Sequence, residues 1–177
     1  MNKGLPLYLS AGRIGDVFCL PIAMQLDALP GPYIRRLQQI AVAIFLQETE
    51  GFGVTPIQYG VLLTVHRQPG LDQRTLAGLM GLDTSTTAGV VDRLEARGLL
   101  RRSASPTDRR VRLLGISDEG STLLAEMEQA VKAAQARMLA PLSDAEKPQF
   151  LDMLTRLVRA HNDSSRSPTE GMGLSDG

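Results

Sequence analysis

The 177-residue sequence has little of what most enzyme sites are built from: one cysteine, two histidines, no tryptophan and only 4% aromatic residues. The lone thiol, Cys19, cannot close an internal disulfide, so the chain must hold by packing alone and fits a reducing cytoplasm better than a secreted framework. His66 and His161 lie far apart, and no zinc spacing, glycine-rich phosphate loop or nucleophile elbow accompanies them. That leaves no catalytic constellation, and neither an enzyme nor a metal or cofactor protein is expected. Nor does any apolar run approach the roughly 18 residues of a membrane span. Val17 to Met24 is short, is broken by Pro21, and lies too far from Lys3, across Arg13 and Asp16, to read as a signal peptide. What is present, 43% hydrophobic and 21% charged residues, is the composition of one ordinary globular domain. A chain of this length buries roughly 70% of its unfolded surface.

Net charge is absent as well, with 19 basic and 19 acidic residues, but the charge is unevenly placed. Arg101, Arg102, Arg109, Arg110 and Arg112 face a single acid, Asp108, within one short segment. A neutral protein with such a strip can bind a polyanion there without being adhesive everywhere.

Periodicity predicts a mainly helical chain with a small β-hairpin. Apolar residues at helical spacing from Pro32 give a first helix ending at Gly51. Thr55-Pro56-Ile57-Gln58 is a capping box with proline at the first helical position, predicting a second helix from Pro56 to about Arg67. Asp72 caps a short third helix ended by Gly81, and Asp83 or Thr84 caps a fourth ended by Gly98, a helix-turn-helix pattern. Two strands, Leu99 to Ser103 and Val111 to Ile116, flank the turn residues Ser105-Pro106-Thr107-Asp108 and form a wing. Ser117 caps a long helix halted at Pro141, and Ser143-Asp144-Ala145-Glu146 is a second capping box that opens the last. The organisation expected is an N-terminal extension over 1–30, a helical dimerisation region over 31–53 and 118–161, a winged helix-turn-helix domain over 54–117, and a disordered tail over 162–177.

The fourth helix opens on small polar residues, Thr84, Ser85, Thr86, Thr87 and Gly89, followed by Arg93. Such an end can enter a major groove closely, with hydroxyls at base edges or phosphates. The wing adds Arg101, Arg102, Ser103 and Arg112 on its strands and Arg109 and Arg110 at its tip, narrow enough for a minor groove. Asp108 fits a different role, fixing an arginine's direction through a bidentate pair. Singly, such hydroxyls are ordinary caps and such arginines a solvated face; their order within one helix-turn-helix and wing favours double-stranded DNA as the partner.

Residues 71–124 closely resemble the MarR family of winged-helix transcriptional regulators. The marks are Leu76-Ala77, the run Asp92-Arg93-Leu94-Glu95-Ala96-Arg97-Gly98-Leu99, the triplet Asp108-Arg109-Arg110 and Ser117-Asp118-Glu119-Gly120. The resemblance covers about residues 31 to 160. It implies a homodimer whose first and last two helices interlock, wings spread on a palindromic operator, and repression relieved by a small aromatic carboxylate or phenol. The wide apolar faces of the last two helices agree, since one small domain cannot cover them.

The pocket that the resemblance implies, between dimerisation helices and winged domain, draws on Tyr33 and Arg36 of the first helix and Tyr59, Leu63 and His66 of the second. Tyr59 and His66 share one helix face with Leu63 between them, so an aromatic ring can lie along the stripe while Arg36 neutralises a carboxylate. A blander reading stays open, with Tyr59 in the core, His66 a helix-end histidine and Arg36 in a surface or dimer ion pair. Two other functions are weighed. Cys19 could make the chain a thiol-based redox regulator, although Val17, Phe18 and Leu20 around it favour an inert thiol. A winged helix can also serve as a protein-interaction module, but such a wing has no need of five arginines.

Overall fold

The computed structural model describes residues 29–108 and 110–161. Cys19, the extension over 1–28, Arg109 and the tail over 162–177 lie outside the described residues. The chain divides into two compact units, Met1–Arg36 and Leu37–Gly177, and in the first only the start of helix α1 (Pro30–Glu48) is described.

The second unit continues α1 and adds α2 (Pro56–Arg67), α3 (Gln73–Met80), α4 (Thr84–Ala96), β1 (Leu100–Ala104), β2 (Arg112–Ile116), α5 (Asp118–Met138) and α6 (Glu146–His161). Among the described residues no helix is long and apolar enough to cross a membrane.

Local chemistry sets most of these boundaries. Thr55 Oγ1 accepts from the Gln58 amide at 3.3 Å while Gln58 Oε1 accepts from the Thr55 amide at 3.0 Å, the reciprocal box that starts α2 where the sequence places it. Asp72 caps α3 through the Thr75 amide. Gly81 ends it at φ 61°, a left-handed conformation that costs little without a Cβ. Its amide and that of Leu82 return to the last carbonyls of α3, so the turn into α4 is tight. Asp83, rather than Thr84, caps α4.

Three expectations shift. α1 starts earlier and ends at Glu48, because Thr49 and Glu50 close a final turn and Gly51, at φ 96°, leaves it. Leu99 belongs to the exit of α4, since its amide donates to Leu94 O at 2.9 Å, and the first strand begins one residue later. Ser143 completes only half a capping box. Glu146 accepts from the Ser143 amide at 2.7 Å, but the Ser143 hydroxyl donates to that same carboxylate instead of accepting from the helix.

The hairpin is antiparallel, pairing Leu100 with Ile116 and Ala104 with Arg112. On the outer side of β2, Gly70 and Leu71 exchange backbone hydrogen bonds with Leu114, and Asp72 forms a bridge with Leu113. The sequence offered Pro69-Gly70 only as a helix stop; the segment that follows also anchors the wing.

Val61, Leu62, Val65, Leu76, Val90, Val91, Leu94, Leu99, Leu100, Leu114 and Leu124 form the main core, tying α2, α3, α4, the hairpin and α5 together. Phe45, Val54 and Met127 form a second cluster, and Tyr59 packs against both. The Phe45 and Tyr59 rings meet at 5.7 Å, tilted by 55°. α6, by contrast, buries no side chain.

Gly120, in the first turn of α5, shows how closely these elements approach. A Cβ there would stand 2.2 Å from the Leu99 carbonyl oxygen and 2.8 Å from Ile116 Cγ1, and the backbone cannot step aside as a flexible side chain can. Gly120→Ala should lower stability by about 1–3 kcal/mol, the usual cost of overpacking, despite alanine's better helix propensity. A denaturant melt in which Gly120→Ala matched or exceeded the wild type would contradict this packing.

Candidate nucleic-acid interface

The helix-turn-helix and the hairpin each present exposed polar residues. Thr84, Ser85 and Thr86 are exposed at the start of α4, with Arg93 exposed further along and Gly89 half-buried beside its guanidinium. Their geometry is set by Asp83. Its carboxylate accepts from Ser85 Oγ at 2.5 Å, from the Thr86 amide at 2.8 Å and from Thr86 Oγ1 at 2.7 Å. The Ser85 hydroxyl, then the Thr86 hydroxyl and amide, hold this carboxyl well below the usual carboxylate range. Each hydroxyl has one proton, and both protons are directed at Asp83, so lone pairs are what Ser85 and Thr86 turn outward.

Thr87 departs from the expectation that it is exposed. Its side chain is fully buried, and Oγ1 donates to Asp83 O at 2.9 Å, so it cannot reach a base edge. The signal was in the sequence: Thr87, Val90, Val91 and Leu94 follow the i, i+3, i+4, i+7 spacing of a buried stripe.

On the hairpin, Arg101, Ser103, Arg110 and Arg112 are exposed. The Arg110 side chain is 92% exposed. Asp108 orients it, as expected, but through one oxygen rather than as a bidentate pair: Oδ1 accepts from the Arg110 amide at 3.0 Å and from Nε at 3.3 Å. Arg102 differs from its neighbours. Its side chain is only 21% exposed and its guanidinium donates to Asp92 at 2.5 Å, to Glu95, and to Gln73 at 3.4 Å. It is therefore engaged inside the protein and is not the open cation expected. Arg97 is similarly occupied, donating to Gly53 O at 2.6 Å and Phe52 O at 3.3 Å, which ties the end of α4 to the loop before α2. Sequence spacing gives no hint of that contact, because its ends lie more than 40 residues apart.

A cavity of about 520 Å³ opens between α2 and α5, lined by Tyr59, Leu63, His66 and Arg67 on α2 and by residues including Leu124, Glu128, Val131 and Lys132 on α5. The structure thus brings Tyr59, Leu63 and His66 together as expected. Tyr33 and Arg36 are exposed on α1 and are not among the lining residues, whereas Arg67 is. Lys132 is held by Glu128 at 2.5 Å. Arg67 makes no ion pair among the described residues. Burial raises the Tyr59 phenol above its ordinary pKa, Arg67 opposing and Glu128 adding to the effect, so it stays protonated and can donate.

Residues 52–111 match the MarR family. A protein of Thauera aromatica, described as a candidate transcriptional regulatory protein for the hcr operon, is 39% identical over 141 residues, 79% of this chain and 85% of that one. The PcaV transcriptional regulator of Streptomyces coelicolor, solved with its natural ligand, superposes with a TM-score of 0.73 at 38% identity, covering 78% of this chain and 97% of PcaV. BpsR of Bordetella bronchiseptica, whose DNA binding is regulated by 6-hydroxynicotinic acid, superposes with a TM-score of 0.71 at 29% identity, over 75% of this chain and 94% of BpsR. With the helix-turn-helix, the wing and the exposed arginines in place, these matches identify the chain as a member of the MarR family of winged-helix, DNA-binding transcriptional regulators, which are not enzymes.

Proposed function

We propose that this chain acts as a homodimeric repressor that binds a pseudo-palindromic operator and is released from it by a small aromatic carboxylate. The cavity between α2 and α5 carries the effector half of this reading. Its volume suits a small-molecule site. The Leu63 side chain offers an apolar wall for a ring, the protonated Tyr59 hydroxyl a donor, and Arg67 a cation for the carboxylate. The anchor is assigned to Arg67 in place of Arg36 because Arg67 belongs to the lining. The hydroxypyridine carboxylate that regulates BpsR belongs to the same chemical class.

The dimer is supported by α6, where Leu151, Met153, Leu154, Leu157 and Val158 are all between 37% and 54% exposed. A second copy covering that face gives two-fold symmetry and half-sites about one helical turn apart. Ser85 and Thr86 are the proposed base-reading residues, with Thr84 and Arg93 beside them. Arg110, together with Arg101, Ser103, Arg112 and Arg109, supplies backbone or minor-groove contacts. Release requires the effector to favour the DNA-incompetent arrangement by a few kcal/mol; equal affinity for both states would shift nothing. Tyr59 lies where such a preference can act, since it lines the cavity and packs on both apolar clusters.

Three outcomes are expected. Titrating a panel of benzoates, hydroxycinnamates and pyridine carboxylates against protein on labelled DNA should reveal an inducer by anisotropy, and Arg67→Gln and Tyr59→Phe should each need several-fold more of it while keeping DNA affinity; unchanged inducer response in both variants would place the effector elsewhere. Arg110→Ala should flatten the salt dependence of DNA affinity by about one ion equivalent if the guanidinium meets a phosphate, or weaken narrow-groove sites selectively if it inserts. An unchanged affinity and slope would remove the wing tip from the interface. Asp83→Asn keeps a good cap but gives the side chain a donor of its own, which frees the Thr86 hydroxyl proton. Selection from a random duplex pool should then show preference moving from the amino-bearing edges of adenine and cytosine towards guanine or thymine at the contacted position. The same base preference in variant and wild type would mean these hydroxyls do not read it.

A further inference from the structure

Arg102 occupies a place that a phosphate-binding arginine would not need. It projects from β1, and its guanidinium donates to Asp92 Oδ1 at 2.5 Å, to Glu95 Oε2 and to Gln73 Oε1 at 3.4 Å. Its own amide donates to Glu95 Oε1 at 3.2 Å. Asp92 and Glu95 stand one turn apart on α4, and Gln73 opens α3. One planar fork on the wing therefore grips both helices of the helix-turn-helix.

We infer that Arg102 is a positioning residue that fixes the wing at one angle to α4, and so sets the sequence selectivity of the domain without touching DNA. The geometry around it leaves little room for the alternative. Two carboxylates face one guanidinium, so the local charge is negative and offers a phosphate no net attraction. Burial opposes the charge, and the hydrogen bonds to Asp92 and Glu95 more than offset it, leaving the pKa above its ordinary value. A rigid angle matters because α4 and the wing tip must seat in neighbouring grooves at once. If the wing swings, each element can still meet DNA, but not both in the one register that a particular sequence rewards. Arginine suits this task better than lysine, whose single ammonium cannot span two carboxylates with a fixed fork.

The inference rests on α4 being the DNA reader, and the test separates the two. The probes are a duplex enriched by the wild type from a random pool and sheared genomic DNA, each titrated at several salt concentrations. Arg102→Lys loosens the clamp. Arg102→Met combined with Asp92→Asn and Glu95→Gln removes it without leaving unpaired carboxylates beside the DNA. The ratio of affinities, enriched duplex over genomic DNA, should fall roughly tenfold in the triple variant and partway in the lysine variant, on the scale of one mismatched base pair. The salt slope on genomic DNA should not decrease. A ratio equal to the wild type's overturns the inference, whether or not the melting temperature falls. So does a slope lower by about one with the ratio intact, which would make Arg102 a phosphate contact. If the triple variant does not fold, the lysine variant decides by the same ratio. A wild type that enriches no sequence overturns both the inference and the reading beneath it.

Discussion

The backbone of Gly98 and Leu99 is the point on which the rest of the molecule turns. The Leu99 amide closes the last turn of α4, its carbonyl accepts from the Ser117 amide at 3.2 Å, and the Ser117 hydroxyl donates to Gly98 O at 2.7 Å. Helix α4, the wing and α5 thus leave or enter within one contact, and the Leu99 carbonyl presses so near Gly120 that no larger residue fits. Buried Leu99 and Leu100 then carry the junction into the core. The run ending in Arg97-Gly98-Leu99 and the start Ser117-Asp118-Glu119-Gly120, well separated in sequence, are two halves of one joint.

That joint explains why polar side chains can be committed to orientation. Asp83 fixes two hydroxyls, Asp108 fixes Arg110, and Arg97 and Arg102 both hold the C-terminal part of α4. The exposed ones among these ion pairs and hydrogen bonds add little to stability. Their effect is geometric, since each selects one rotamer among many on a backbone that the core has already fixed.

Much of this was legible from local rules. Thr55-Pro56-Ile57-Gln58 placed the start of α2 to the residue, and Asp72, Gly81 and Ser117 each did what their chemistry predicts at a helix end. What was missed depends on distance in sequence. Arg102 finds its carboxylates seven and ten residues back, across a turn, and Arg97 finds carbonyls before α2. No periodicity reports such contacts, so Arg102 read as an open cation and the tie made by Arg97 went unread. Thr87 was a different failure: its polarity outweighed its position on the buried stripe. In the cavity the helical spacing of Tyr59, Leu63 and His66 was enough to place them together; Arg67, four residues past Leu63 on the same face, had the same spacing, but its charge drew attention away from it.

α6 buries none of its side chains among the described residues, and a helix of 16 residues is marginal in water without packing. Its amides should therefore be among the first to exchange and its backbone among the first open to proteases whenever a chain is alone. In the proposed dimer, where a second copy covers this face, its order would depend on protein concentration through mass action. A newly made chain would then hold a folded reading head before its last helix settles, and occupancy of a two-fold site would rise more steeply than the amount of protein synthesised.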